Sequence, residues 1–340
     1  MGLDFLLEPI SEDAPCGADL EYDDEFRQLE EVARGKPGSV VDPDKPGASI
    51  AAVQPDWHET KSLALSILRK SKDLRAIAYL LKAEIATGEL AQIAPLLRAT
   101  TEMAQTYWSG LYPLLDADDD NDPTMRVNAL ASLSDPEDAL RLLRETVLFK
   151  HAAFGSIKFR SLETGLGLLP ESANSADVNL SNSDAQLAVM NGLEGDSRNI
   201  LALKDVLEAA RDLQVKVDEL AGPRSMLDLK PLFQRLKPVV DFIESLRAQS
   251  AESDSNGNTD ASSATGGGTA QSGQMNRDEA KRLIAKVCEF LDKTEPSSPA
   301  PLFLRRALAL MDMSFLDIVR DLAPEAAGTF EHYGGARLTD

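Results

Sequence analysis

The sequence predicts a mainly α-helical protein. Three observations carry that reading. Apolar residues recur at helical spacing over long stretches, aromatic residues are only 5% of a chain that is 43% hydrophobic, and Pro and Gly gather between the periodic stretches. Strands select β-branched and aromatic side chains, whereas Ala and Leu are strong helix formers. At 340 residues the chain exceeds one ordinary core, and its length favours two or three domains. The expected architecture is an N-terminal helical bundle domain with an irregular acidic start (1–170) and a long-helix middle region (171–248). A flexible linker (249–275), a small helical C-terminal oligomerisation module (276–322) and a loose tail (323–340) complete it.

Residues 1–56 are punctuated by Pro and Gly, and one short helix fits there, Asp23 to Ala33, with Phe26 and Leu29 on one face. From Asp56 the pattern turns helical. Asp56 has the character of an N-cap, with Glu59 at capping-box spacing. Leu63, Ile67 and Leu68, then Leu74, Ile77, Ala78, Leu81 and Ile85, follow the helical period, with a break near Ser71 and a stop at Gly88. Ile93, Leu97, Thr101, Ala104 and Trp108 mark the next helix, and Pro95 is tolerated in its first turn. After an acidic loop, DADDDNDP, a short helix has Met125, Leu130 and Leu133 as its apolar positions. Another, capped by Ser134 or Asp135, carries Leu140, Leu143 and Val147. These short connections imply antiparallel neighbours in a bundle.

Residues 149–170 break the helical pattern and read as a short hairpin or an extended segment, followed by a loop over 171–180. Ser183 to Leu220 reads as one long helix or two nearly continuous ones, with Gly192 and Gly195 as the weak point and Gly222-Pro223 as the stop. A further helix spans about Leu227 to Arg247, kinked at Pro238. Residues 249–275 hold almost nothing apolar. Such a stretch cannot bury enough surface to offset its ordering entropy, and as a flexible tether its r.m.s. span would be on the order of 30 Å.

Helices resume at Asn276, with Leu283, Ile284, Val287, Phe290 and Leu291 as a stripe, then Leu302 to Met313 and Ser314 to Leu322. Three short helices make a marginal monomeric core. The module is therefore expected to oligomerise, with Leu302, Phe303, Leu308, Met311, Met313 and Phe315 as its candidate surface.

The net charge is −21, which disfavours nucleic acid and anionic lipid as partners. Residues 1–59 hold 15 acids against 4 bases, about half of that charge, whereas the region after Asn276 holds 11 acids and 9 bases. The acidic start confers solubility, and it also leaves open the steering of a basic partner. Two cysteines far apart, Cys16 and Cys288, fit a reduced cytosolic protein. The N-terminus lacks the basic region of a signal peptide, and no apolar run approaches the ~20 residues that span a bilayer.

No constellation for catalysis emerges, and no cofactor is implied. His58, His151 and His332 share no metal-ligand spacing with each other or with the cysteines. No phosphate-binding glycine motif or GxSxG occurs. The run Asp116 to Asp122 begins like a calcium loop, but its sixth position is Asn121 and its twelfth is Val127, so it reads as a solvated loop ahead of a helix N-terminus. Trp57 and Trp108 read as core residues. Arg69, Lys70, Lys72 and Arg75 cluster between two helices. Complementing a helix C-terminus accounts for them, and a partner contact is the functional alternative.

Three ordered blocks resemble the ImpA-type N-terminal domain family of bacterial type VI secretion systems. They are LLEPISEDAPCGADLEYDDEFRQLE (Leu6 to Glu30), DWHETKSLALSILRKSKDLRAIAYL (Asp56 to Leu80) and WSGLYPLLDADDDNDPTMRVNALASL (Trp108 to Leu133). TEPSSPAPLFLRRALALMDMSFLDIVRDL resembles the C-terminal part of family members, whereas the middle region and linker match no motif. The resemblance implies a cytoplasmic, non-enzymatic assembly factor that reaches the inner membrane only through the secretion assembly. Its partners would be baseplate, sheath and inner-tube proteins, and its C-terminal module would build a symmetric ring. The alternative is a monomeric adaptor that binds one protein through its acidic N-terminal segment.

Overall fold

A computed structural model describes residues 2–36, 52–174, 176–223, 225–255, 277–294, 299–311 and 313. The described residues are mainly helical and divide into two units, Met1–Asp260 and Ala261–Asp340.

The first unit opens with a single 3-10 turn (Asp4–Leu6) that buries Leu6, followed by α1 (Asp24–Arg34). The Asp23 carboxylate caps α1, and Phe26, Leu29 and Ala33 form its buried stripe. In α2 (Trp57–Leu68) the Asp56 carboxylate accepts from the His58 and Glu59 amides. The expected return bond of a capping box is replaced, because the Glu59 carboxylate accepts from Gln28 on α1. After the break at Ser71 comes α3 (Leu74–Ala86), capped by Asp73. Ten of its 13 residues are buried, Lys82 and Glu84 among them, which makes α3 the central helix of the unit. Gly88, at φ +79°, ends this segment.

Then follow α4 (Ile93–Tyr107), α5 (Thr124–Ala131) and α6 (Ala139–Glu145). Two expectations change here. Met125 is 57% exposed, and the buried face of α5 is Arg126, Val127 and Leu130. Val147 is not inside a helix. Thr146 Oγ1 turns back to the Ile85 carbonyl at 2.8 Å, and Val147 starts β1 (Val147–His151). β1 pairs antiparallel with β2 (Gly155–Lys158), so the hairpin alternative holds. A short helix that the sequence pattern did not reveal follows, α7 (Phe159–Gly165), with only Phe159 and Leu162 as large apolar residues.

The long helical stretch divides into α8 (Asn182–Glu194) and α9 (Arg198–Ala221), and α10 runs from Lys230 to Ser255 with Pro238 inside it. The first seven residues assigned to the linker, 249–255, are thus helical, and the remainder to 275 lies outside the described residues. Gly192 is more than a weak point. A Cβ there would come within 2.7 Å of Ile200 Cδ1 and 3.0 Å of the Phe149 ring, so glycine is what lets α8, α9 and β1 approach.

The boundary expected at residue 170 is not a boundary of packing. One core runs from Leu6 to Leu246, and α9 lies along α4. A small apolar cavity of about 30 Å3 is lined by Leu81, Leu97, Leu203 and Leu236, so α3, α4, α9 and α10 meet around one point. The cause is the stripe on α9 (Ile200, Leu203, Val206, Leu207, Leu213, Val217), whose burial needs a second apolar surface. The second unit contains α11 (Arg277–Thr294) and α12 (Ala300–Leu310), packed on one another. The expected helix Ser314 to Leu322 lies outside the described residues.

A polar tie joins the two stretches of the first unit. The Glu163 carboxylate on α7, 2% exposed, takes Arg144 of α6 at 3.2 Å and Arg235 of α10 at 2.9 Å. Burial pushes this carboxyl up, and Arg144 opposes the shift. Glu163→Ala would strand both guanidiniums, each still partly solvated. It should lower stability by about 2 kcal/mol in urea unfolding, whereas a change under about 0.5 kcal/mol would show the tie to be dispensable.

Candidate functional site

The three sequence blocks converge in space. Gly17, at φ +75°, passes so close to the middle of the second block that a Cβ would lie 2.0 Å from the Lys70 carbonyl oxygen. The Lys72 amide donates to the Cys16 carbonyl at 2.8 Å, which joins the first block to the second. The Tyr112 amide donates to the Lys72 carbonyl at 3.0 Å, the Leu74 amide donates to the Tyr112 carbonyl at 2.9 Å, and these bonds join the second block to the third. The Tyr112 hydroxyl closes the ring of contacts on the Gly17 carbonyl at 3.1 Å.

Two buried cations hold this junction through main-chain oxygens. Lys72 is fully buried. Its ammonium donates to the Leu6 carbonyl at 2.7 Å and lies 4.8 Å from the Tyr107 ring centroid, while the Tyr107 hydroxyl donates to the Leu7 carbonyl. Arg126, also fully buried, directs its guanidinium to the carbonyls of Pro113 (2.7 Å), Trp108 and Leu111, and lies 4.9 Å from the Trp108 ring. Trp108 and Leu111 follow the end of α4, where helix carbonyls lack intrahelical partners, and a planar guanidinium can serve several at once. Burial pushes Arg126 down to about 10, so it remains charged at neutral pH. Burial likewise lowers Lys72 and raises Cys16.

The basic cluster singled out in sequence therefore divides. Lys72 has no surface left for a partner. Arg75 is 17% exposed, paired with Asp73 at 2.7 Å and Glu21 at 2.8 Å, and stacked over Phe26. Only Arg69, over the Phe5 ring, and Lys70, paired with Glu25 at 2.5 Å, remain at the surface. Trp57 and Trp108 are half-buried against the core rather than within it.

In the acidic loop, the Asp116 amide donates to the Asp122 carbonyl, and Asp120 and Asn121 take positive φ. The Asp122 carboxylate accepts from Thr124 and Ser225. Among the described residues no group of three or more His, Cys, Asp and Glu side chains is placed to hold a metal ion, and no helix is long and apolar enough to cross a membrane. Of the candidate oligomerisation residues, Leu302 and Phe303 are each 67% exposed, and Leu308, Met311 and Met313 are half-buried. Phe315 lies outside the described residues. The site is thus a set of protein surfaces around a buried junction.

These features define a helical component built on an ImpA-type N-terminal domain. The family described as "ImpA, N-terminal, type VI secretion system" matches residues 7–135, the stretch that holds the junction apart from Leu6. The chain is 34% identical, over 97% of its length and 97% of the relative's, to the type VI secretion system component TssA1 of Pseudomonas aeruginosa. The chain belongs to the TssA family of type VI secretion system components. Its fold is similar to a solved N-terminal domain, including the conserved ImpA_N region, of the TssA component from Burkholderia cenocepacia. The TM-score is 0.52 at 20% identity, covering 73% of this chain and 94% of that one.

The junction makes two predictions. Gly17→Ala forces a side chain into the Lys70 carbonyl at a positive φ and should cost at least about 3 kcal/mol, read as a lowered Tm. Arg126→Lys keeps the charge but loses the fork, and should cost about 2 kcal/mol in urea unfolding. If either variant matched the parent, the motif residues would have to be kept for a reason other than this junction.

Proposed function

We propose that this chain is a non-enzymatic scaffold that forms a homo-oligomer, a ring through its C-terminal module. In the cytoplasm it would coordinate assembly of the type VI baseplate, sheath and tube. Membership of a family of structural secretion components supports this reading. The observation that carries the oligomer is the apolar surface of the second unit. Val287 (46%), Phe290 (62%), Leu302 (67%) and Phe303 (67%) are exposed on the α11–α12 pair, while the buried side chains described there are Cys288 and Pro301. A helical pair so poorly covered gains stability by association with copies of itself. The linker would then tether N-terminal units around the ring, giving avidity from weak contacts.

The second reading is a monomeric adaptor acting through the acidic N-terminal segment. Tyr22, 80% exposed and flanked by Asp19, Glu21, Asp23 and Asp24, favours it as an aromatic contact for a basic partner. Light scattering separates the two. The full chain should have an oligomeric mass, and replacing both Leu302 and Phe303 by Glu, or removing 277–340, should reduce it to the monomer. A monomeric parent chain whose partner binding weakens steeply with salt would replace the ring with the adaptor.

A further inference from the structure

A cleft of about 280 Å3 opens where the end of α1, the start of α2, α3 and the start of α6 come together. Its apolar walls are the half-buried rings of Trp57 and Tyr79. Its charged lining is Arg34, Lys82 and Arg141 against Glu137 and Asp138, three cations to two carboxylates in a chain whose net charge is −21. One pair is internal, because the Lys82 ammonium meets the Asp138 carboxylate at 2.6 Å and lies over the Tyr79 ring at 5.4 Å.

The two guanidiniums are different. Arg141 donates through Nε to the Glu137 carbonyl at 3.0 Å, a bond that leaves its terminal nitrogens unused. Neither Arg34 nor Arg141 is ion-paired among the described residues, and both are exposed. Several other cations of the unit are answered by carboxylates: Lys70 by Glu25, Arg75 by Asp73 and Glu21, and Lys158 and Arg160 by Asp177. Guanidinium groups present a planar fork that matches a carboxylate, and flat aromatic walls take the aliphatic stem behind it. The volume suits one or two side chains rather than a cofactor.

We infer that the cleft between Arg34, Trp57, Tyr79 and Arg141 is a docking site for a carboxylate side chain carried on an acidic segment of a protein partner. This goes beyond the ring reading, since it uses the first unit alone. The excess positive lining sets the sign of the ligand, and the aromatic walls distinguish the site from a bare basic patch.

The test uses the full chain and a fluorescein-labelled, end-blocked heptapeptide, Gly-Asp-Glu-Leu-Glu-Asp-Gly, followed by fluorescence anisotropy. Its counterparts carry Asn and Gln, or Lys, in place of the acids. Saturable binding of the acidic peptide alone is expected, weakened at least about tenfold by Arg34→Gln with Arg141→Gln, since each lost charge-assisted contact is worth about a factor of ten. Both arginines are exposed, so the double variant should keep the parent's circular dichroism and Tm. Lys216→Gln, on α9 and paired with Glu219, should bind as the parent does. Absence of binding, equal binding of the amide or lysine peptide, or an unchanged affinity in the double variant would each overturn the inference. Light scattering on the same samples reports the oligomer, so failure of the ring reading would be seen separately.

Discussion

The fold rests on an uncommon solution to burying positive charge. Lys72 and Arg126 are both fully buried and both bound chiefly by main-chain oxygens. A buried cation without hydrogen-bond partners would be prohibitively costly, and so would the carbonyls around it if left unmatched. Here each need meets the other. The carbonyls beyond the end of α4 have no helical partner, and the Arg126 fork takes them. The carbonyl of Leu6, at the end of the first turn, takes the Lys72 ammonium. Removing Arg126 would orphan the carbonyls of Trp108, Leu111 and Pro113, and removing Lys72 would orphan that of Leu6.

From that junction the rest follows. Main-chain bonds at Lys72, Leu74 and Tyr112 set where α3 begins, and α3 is the most buried helix of the unit. Its surroundings are α2, α4, α5 and α6, and beyond α4 lies α9. The acidic N-terminal segment is therefore not a loose tail on a bundle. Through Cys16 and Glu25 it is bonded to the connection between α2 and α3, through Glu21 to the first turn of α3 and through Gly17 to Tyr112, and much of its charge is answered locally. A surface built on such a locked junction binds a partner without paying to order itself.

Much of this was legible in the sequence. Asp56 stands where a cap belongs and starts α2, and the helix expected from Asp23 is present with Asp23 as its cap. Gly88 and Gly222 stop helices because positive φ suits glycine. The misreadings share one cause. Periodicity reports that a residue is apolar and repeats, but not whether another segment covers it. Met125 fits the helical period and faces solvent, Val147 fits it and starts a strand, and α7 was hidden because its buried face includes Ser161 and Glu163. The basic cluster misled in the opposite sense. Four neighbouring cations suggest a surface, yet Lys72 lies inside because the backbone oxygen that receives it comes from 66 residues earlier.

The sequence by itself determined the helical class, most helix starts and stops, and the family, since three ordered motif blocks are local patterns written in residue type and spacing. Only the tertiary structure decided that these blocks form one junction, that residues 171–248 share the first domain's core, and that the Trp57 cleft lies beside two guanidiniums without an ion pair among the described residues. Each of those depends on which distant segment meets which. Burial and charge pairing are properties of that meeting, and no residue carries them alone.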